Sequence, residues 1–164
     1  MSTPARSRTF TWHDPHVYLD SLRKLSGLEF LEQFTQGALP RPPIGDMMDF
    51  SLIEAGDGRA VFVIDPAEFH YNPIGVVHGG VAATLLDSAM SCAVQTKLPQ
   101  GVGYTTLEIK VNFVRALTTM TGPVRAEGTV VHMGKRSATA EGRIVDRDGK
   151  LYAHATTTCI VLPP

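Results

Sequence analysis

Cysteine is scarce in this sequence: Cys92 and Cys159 are the only two among 164 residues. Two thiols cannot build a disulfide framework, and both stand in apolar surroundings, where a free thiol behaves as a small buried side chain. A single bridge between them stays open at this level, although a reducing cytoplasm suits them unpaired. Charge of either sign is in no excess. Fifteen Lys and Arg face sixteen Asp and Glu, a net charge of −1, so no global field draws the chain to nucleic acid or to an anionic membrane. Long apolar runs are missing as well. The longest, Val81 to Val94, is interrupted by Asp87 and falls short of the roughly 18–20 residues of a membrane span. The opening "MSTPARSRTFTWHDPH" holds no apolar core of a secretory signal. The expectation is a cytoplasmic chain with neither membrane nor nucleic acid as partner.

Several common signatures of chemistry are absent too. There is no Gly-x-Ser-x-Gly elbow, no P-loop and no Gly-x-Gly-x-x-Gly, which disfavours a serine hydrolase or a nucleotide enzyme. His13 and His16 are separated by Asp-Pro, and His70, His132 and His154 are scattered, so no pair stands at zinc-like spacing. No metal and no cofactor are expected. No internal repeat is present.

What is present reads as one globular domain, with 43% apolar and 19% charged residues. After a loose arm, Asp14-Pro15 supplies an N-cap and a first-turn proline for an amphipathic helix from Pro15 to about Phe34, with a break at Gly27. The proline-rich "GALPRPPIG" at 37–45 is a turn-rich connector. Two strand-like runs then flank Gly56-Asp57-Gly58, a hairpin signal. An irregular loop at 66–77 leads into a long helix over 78–97. Four strands follow, near 102–115, 121–133, 136–146 and 150–162. Hairpin turns join most of the strands and no β-α-β alternation appears, so the class is α+β with a largely antiparallel sheet. Residues 1–40 form the arm and extra helix, and 41–164 the main domain.

The long helix carries the sharpest signal. Between Glu68 and Lys97 the only formal charge is Asp87. On a helical wheel, apolar residues from Val81 to Val94 cover most of the circumference, leaving Thr84, Asp87, Ser88, Ser91 and Gln95 as a polar stripe. A helix so apolar is a core helix. A carboxylate on it is costly unless paired or hydrogen-bonded, so Asp87 either sits at a wet edge as a structural group or serves as general base or nucleophile in a dry cleft. Ahead of it, His78-Gly79-Gly80 opens the helix. The two glycines leave no Cβ between a ligand and first-turn N–H groups, which are free of intrahelical partners and sit at the positive dipole end. A developing oxyanion finds donors there. Gly79 and Asp87 are eight residues apart, roughly 12 Å along a helix, whereas a catalytic carboxylate must lie about 3 Å from its target or one water away. One helix cannot bring both groups to one carbonyl. Two antiparallel helices from two subunits can.

The stretch "NPIGVVHGGVAATLLDSAM", followed by "GYTTLEIKVNFVRAL", resembles the hotdog-fold acyl-CoA thioesterases of the phenylacetic-acid-degradation type from about Met47 to Leu162. The HGG at 78–80, Asp87 nine residues after His78 and Asn72 six before it carry the likeness. The resemblance implies a long helix wrapped by a curved antiparallel sheet, homodimers joined sheet edge to sheet edge, and assembly into homotetramers. It implies an acyl-CoA, aryl or medium-chain, as substrate. The Gly79 N–H and the Asn72 side chain would polarise the thioester carbonyl, and Asp87 of the facing subunit would activate water or attack directly. A Ser or Thr on the next strand would position that water. Thr106 suits this role by strict alternation, in phase with Glu108, Lys110 and Asn112 and opposite Leu107, Ile109 and Val111, with Thr105 as the alternative. His78 and Gly80 complete the motif. Lys135 and Arg136 match a region that meets the CoA phosphates, and Arg115 is a weaker candidate. A hotdog dehydratase or hydratase and a non-catalytic acyl-CoA-binding module are the rival readings.

Overall fold

The apolar run after His78 folds as the expected long helix, and the sheet wraps it. The computed structural model describes residues 4–163. In chain order it contains a 3-10 turn at Pro15–Tyr18, α1 (Leu19–Lys24), α2 (Gly27–Thr35), α3 (Pro43–Met48), β1 (Phe50–Gly56), β2 (Arg59–Ile64), a second 3-10 turn at Glu68–His70, α4 (Gly79–Gln95), β3 (Gly103–Phe113), β4 (Val124–Met133), β5 (Ser137–Asp146) and β6 (Leu151–Leu162). The strands form a sheet in the order β1-β2-β4-β5-β6-β3, with every neighbouring pair antiparallel. Strand β3 lies at one edge. This is the α+β hotdog arrangement.

Every strand of the sheet touches α4, as a curved sheet around a central helix requires. Leu85, Leu86, Ala89, Met90, Ala93 and Val94 are fully buried on it, and they meet Ala126, Ala140 and Ile144 in one core. Small residues set the helix-to-sheet distance. Gly128 of β4 and Gly142 of β5 face each other across the ladder. A Cβ on Gly128 would lie 2.2 Å from the Ala89 carbonyl oxygen, and one on Gly142 would lie 2.8 Å from Met90 Cγ. An alanine at either position would push the helix out of its seat.

The break that the sequence predicts at Gly27, within the helix from Pro15 to about Phe34, falls two residues earlier, and the first turn is 3-10. Leu25 is extended, at φ −116° and ψ 156°, and Ser26 starts a new helix with a capping box: its hydroxyl accepts from the Glu29 N–H, while the Glu29 carboxylate accepts from the Ser26 N–H at 2.9 Å. A capping box satisfies two orphan donors at once, which is enough to restart a helix. The break thus falls ahead of Gly27. Gly27 serves a different need, because its N–H donates to the Leu98 carbonyl at 2.9 Å and a Cβ there would sit 1.7 Å from the Gln95 carbonyl oxygen. Its bareness lets α2 butt against the end of α4. The proline-rich connector also holds a helix the sequence reading omits. Pro43 opens α3, where the missing N–H costs nothing and the fixed φ is already helical.

Candidate active site

Asp87 is half-buried on α4, less enclosed than its apolar helix suggests, and it has a partner. Thr106 Oγ1 on β3 donates to Asp87 Oδ1 at 2.9 Å. Thr105 is exposed. The phase argument that selects Thr106 in the sequence is nevertheless wrong. The β3–β6 register shifts between Thr106 and Glu108, so Leu107 and Glu108 both face outward. Ahead of this bulge Tyr104 and Thr106 point at the helix, and beyond it Ile109 and Val111 do. Thr106 therefore shares its face with the core positions of β3 and not with Lys110 and Asn112. A bulge adds one residue to one strand and flips the alternation, which strict period-two counting cannot see.

The rest of the polar stripe turns back on its own helix. Thr84 Oγ1 donates to the Gly80 carbonyl at 2.9 Å, and Ser88 Oγ donates to the Thr84 carbonyl at 2.9 Å. Asp87 lies where two cavities meet. One, of about 340 Å³, runs beneath α1 and α2. The other, of about 660 Å³, opens beside the start of β3. Leu22, Asp87 and Ser91 line both. Cys92 also faces the first cavity, but burial, together with the charge of Asp87, pushes its thiol up to about 12. Burial likewise pushes the Tyr104 hydroxyl well above its ordinary range. Neither thiol nor phenol is thereby primed as a nucleophile at neutral pH, and Asp87 is the carboxylate at this junction. Ser91 and Cys92, read in the sequence as part of the polar stripe and as a buried thiol, and Tyr104 were not placed at the site there, although the first two follow Asp87 by about one helical turn.

The HGG segment sits at the other end of α4. His78 is the N-cap, and its Nδ1 accepts from the Gly80 N–H at 2.8 Å. The Gly80 N–H is thus occupied, while the Gly79 N–H has no hydrogen-bond partner among the described residues. Asn72 Oδ1 accepts from the backbone N–H groups of Ile74 and Val76 at 3.1 and 3.3 Å. Those bonds fix which end of the amide is oxygen and leave its NH₂ as the donor. Gly79 lines a third cavity of about 290 Å³ with Phe113 and Arg115. A Cβ on Gly79 would lie 3.1 Å from the Phe113 ring. Within one protomer the donors at the start of α4 and the carboxylate at Asp87 stand roughly 12 Å apart by helix rise. No single carbonyl reaches both.

Lys135 and Arg136 are exposed in the β4–β5 turn and make no ion pair with any of the described residues. Arg115 is the basic residue that shares a cavity with Gly79, with its Nη1 donating to the Leu151 carbonyl at 2.6 Å. Among the described residues no group of three or more His, Cys, Asp or Glu is placed to hold a metal ion. No helix among them is long and apolar enough to cross a membrane.

A helix wrapped by a curved antiparallel sheet defines the hotdog fold, and comparison with known proteins agrees. Residues 74–153 match the sequence profile of the thioesterase superfamily. A Saccharolobus solfataricus protein, SSO2140, named as a candidate esterase, is 31% identical over 115 residues, which cover 70% of this chain and 80% of that one. The 1,4-dihydroxy-2-naphthoyl-CoA hydrolase of Listeria monocytogenes is 26% identical over 71% of this chain and 93% of its own. Among solved structures, conserved protein PA5202 from Pseudomonas aeruginosa superposes with a TM-score of 0.70 at 30% identity, over 80% of this chain and 98% of that one. A phenylacetic acid degradation-related protein from Ralstonia eutropha JMP134 does so with a TM-score of 0.70 at 26% identity, over 79% and 98%. The chain belongs to the thioesterase superfamily and is a thioester hydrolase.

Proposed function

We propose that the protein hydrolyses acyl-CoA thioesters to the free acid and CoA, in the cytoplasm, as a homodimer assembling into homotetramers. Asp87 of one subunit acts as base or nucleophile. When it acts as base, a water oxygen bonds to the acyl carbon as the water proton passes to the carboxylate. The tetrahedral intermediate then collapses, the C–S bond breaks, and the CoA thiolate leaves and recovers that proton. The Gly79 N–H and the Asn72 amide of the facing subunit hold the oxyanion, in a site where preorganised donors are worth most. Thr106 holds Asp87 in place. Lys135 and Arg136 meet the CoA phosphates, and Arg115 stands beside the carbonyl-binding end.

The observation that carries this reading is the Thr106–Asp87 hydrogen bond at the meeting point of two cavities. A carboxylate that only capped a turn would have no reason to sit at that junction. The name of the Listeria enzyme, a CoA thioester hydrolase, supports the CoA moiety. The test is thiol release from a panel of aryl, short-chain and long-chain acyl-CoAs. Release from at least one class is expected. Binding without release would mean an acyl-CoA-binding module, and loss of water from a hydroxyacyl-CoA would mean a dehydratase.

A further inference from the structure

The smaller of the two cavities at Asp87 has walls that define an occupant, provided that Asp87 works on a thioester as proposed above. We infer that it is the acyl chamber, that it takes an uncharged hydrocarbon acyl group, and that Phe34 and Leu39 set the length it accepts. Its walls are aromatic and aliphatic. Tyr18, Phe30 and Phe34 come from the N-terminal helices, and Phe50 and Phe62 from the first hairpin. Such a lining binds hydrocarbon by removing it from water.

The polar groups on these walls are already engaged. Asp87 and Arg41 are the charged residues of the lining. Arg41 Nε donates to Asp46 Oδ1 at 2.8 Å, and its Nη1 donates to Asp49 Oδ1 at 3.0 Å, so its charge is already balanced by two carboxylates. The Tyr18 hydroxyl donates to the Arg41 carbonyl at 3.1 Å, and Ser88 Oγ to the Thr84 carbonyl at 2.9 Å. These hydroxyl protons are spent inside the protein, leaving little to satisfy polar substituents on an acyl group. A polar group buried there without a partner would be penalised.

The chamber exists because of α1 and α2, and both lie outside the 74–153 span shared with the family profile. Phe34 closes the aromatic cluster, with its ring centroid 5.7 Å from that of Tyr18 and 5.2 Å from that of Phe30. Leu39 packs against the same cluster from the segment after α2.

The experiment measures kcat/KM of the full chain for butyryl-, pentanoyl-, octanoyl-, dodecanoyl- and glutaryl-CoA, in wild type, Phe34→Ala and Leu39→Trp. The readout is the dodecanoyl-to-butyryl ratio within one preparation, which does not depend on how much of a variant is folded. Phe34→Ala deepens the chamber and should raise that ratio roughly 10-fold, and Leu39→Trp fills it and should lower the ratio by a similar factor. Glutaryl-CoA should be cleaved roughly 10-fold or more less efficiently than pentanoyl-CoA of the same chain length, because its carboxylate enters an apolar chamber whose cation, Arg41, is already balanced by Asp46 and Asp49. A ratio that stays within about twofold of wild type in either variant, or glutaryl-CoA cleaved as well as pentanoyl-CoA, overturns the chamber while leaving the thioesterase reading intact. No release from any acyl-CoA by the wild type overturns the thioesterase reading, and the occupant with it.

Discussion

Thr106 Oγ1 lies 2.9 Å from Asp87 Oδ1, so that a strand hydroxyl donates to a helix carboxylate across the gap between β3 and α4. A hydrogen bond to an ionised acceptor is stronger than a neutral one, and this one ties down one carboxylate oxygen. The other, Oδ2, makes no hydrogen bond to the described residues and is free to face water or a thioester carbon. On the proposed mechanism the pair supplies an oriented base without spending its reactive oxygen.

Asp87→Asn keeps the volume and an acceptor for Thr106 but removes the charge. We expect kcat to fall by roughly 10²-fold or more, the scale of a positioned acid–base group, while the melting temperature holds. Steady-state hydrolysis and thermal melting on the same preparation read both. Near-normal turnover with a lowered melting temperature would make Asp87 a structural group.

Thr106→Val removes the donor at nearly constant shape. On the proposed mechanism Thr106 orients the base and does not itself react, so kcat should drop roughly 10-fold with little change in KM, and Thr106→Ser should restore most of it. Thr105→Val, on the exposed face, should change much less. Equal effects at both threonines would mean that the hydroxyl next to Asp87 has no special part.

The central helix and the later hairpins were readable in the sequence because each is written in a local code. Apolar residues around the full circumference from Val81 to Val94 mark a core helix, and Asp57-Gly58 and Asp148-Gly149 mark tight turns. Gly58 and Gly149 do take positive φ, at 75° and 77°, as such turns require. What stayed hidden depends on contacts distant in sequence. The bulge at Leu107 shows only in the pairing with β6. The cover over Asp87 is made by Leu22 and Phe34, which precede Asp87 by more than fifty residues, and no periodicity in α1 or α2 announces that they end there. Asp87 and the glycines of the helix start were legible as residue types; Thr106, selected from a faulty phase to position a water, instead bonds Asp87 itself.

His70 makes stability depend on pH. It is buried, its Nδ1 accepts from the Ala67 N–H at 3.0 Å, and its Nε2 donates to the Met48 carbonyl at 2.8 Å. That geometry requires the neutral ring with the proton on Nε2. Burial holds its pKa below the ordinary 6.5, partly opposed by the Met48 bond, with Arg8 adding to the depression and Asp49 opposing it. Well above pH 6.5 the ring is neutral both folded and unfolded, so its full contribution is present. As pH falls below 6.5 the unfolded chain takes up a proton that the folded chain refuses, and stability declines, by at most about 1.4 kcal/mol per pH unit, until the folded-state pKa is passed. Urea unfolding at pH 7.5 and at successively lower pH should show this slope in wild type and a shallower one in His70→Gln. Parallel slopes in the two proteins would remove His70 as the cause.

The separation of Gly79 from Asp87 on one helix yields the most decisive prediction. If the oxyanion donors and the carboxylate of one site come from different subunits, two inactive variants can repair each other. Asp87→Asn lacks the base, and Asn72→Ala lacks an oxyanion donor, yet a mixed dimer pairs the intact Asp87 of the second with the intact Asn72 of the first. One of its two sites is then whole and the other is doubly defective. Random assembly makes half the dimers mixed, so co-expression with two affinity tags should yield a population with about a quarter of wild-type activity. The doubly tagged fraction, purified alone, should approach half. Each variant by itself must first be shown to be nearly inactive, so that the gain stands clear of background. If the site lay within one subunit, the mixed dimer would carry two separately damaged sites, and its activity would be no more than the mean of the two parents. A doubly tagged fraction with no gain over that mean would mean that Asp87 and Asn72 do not meet across an interface, and the two-subunit site would fall.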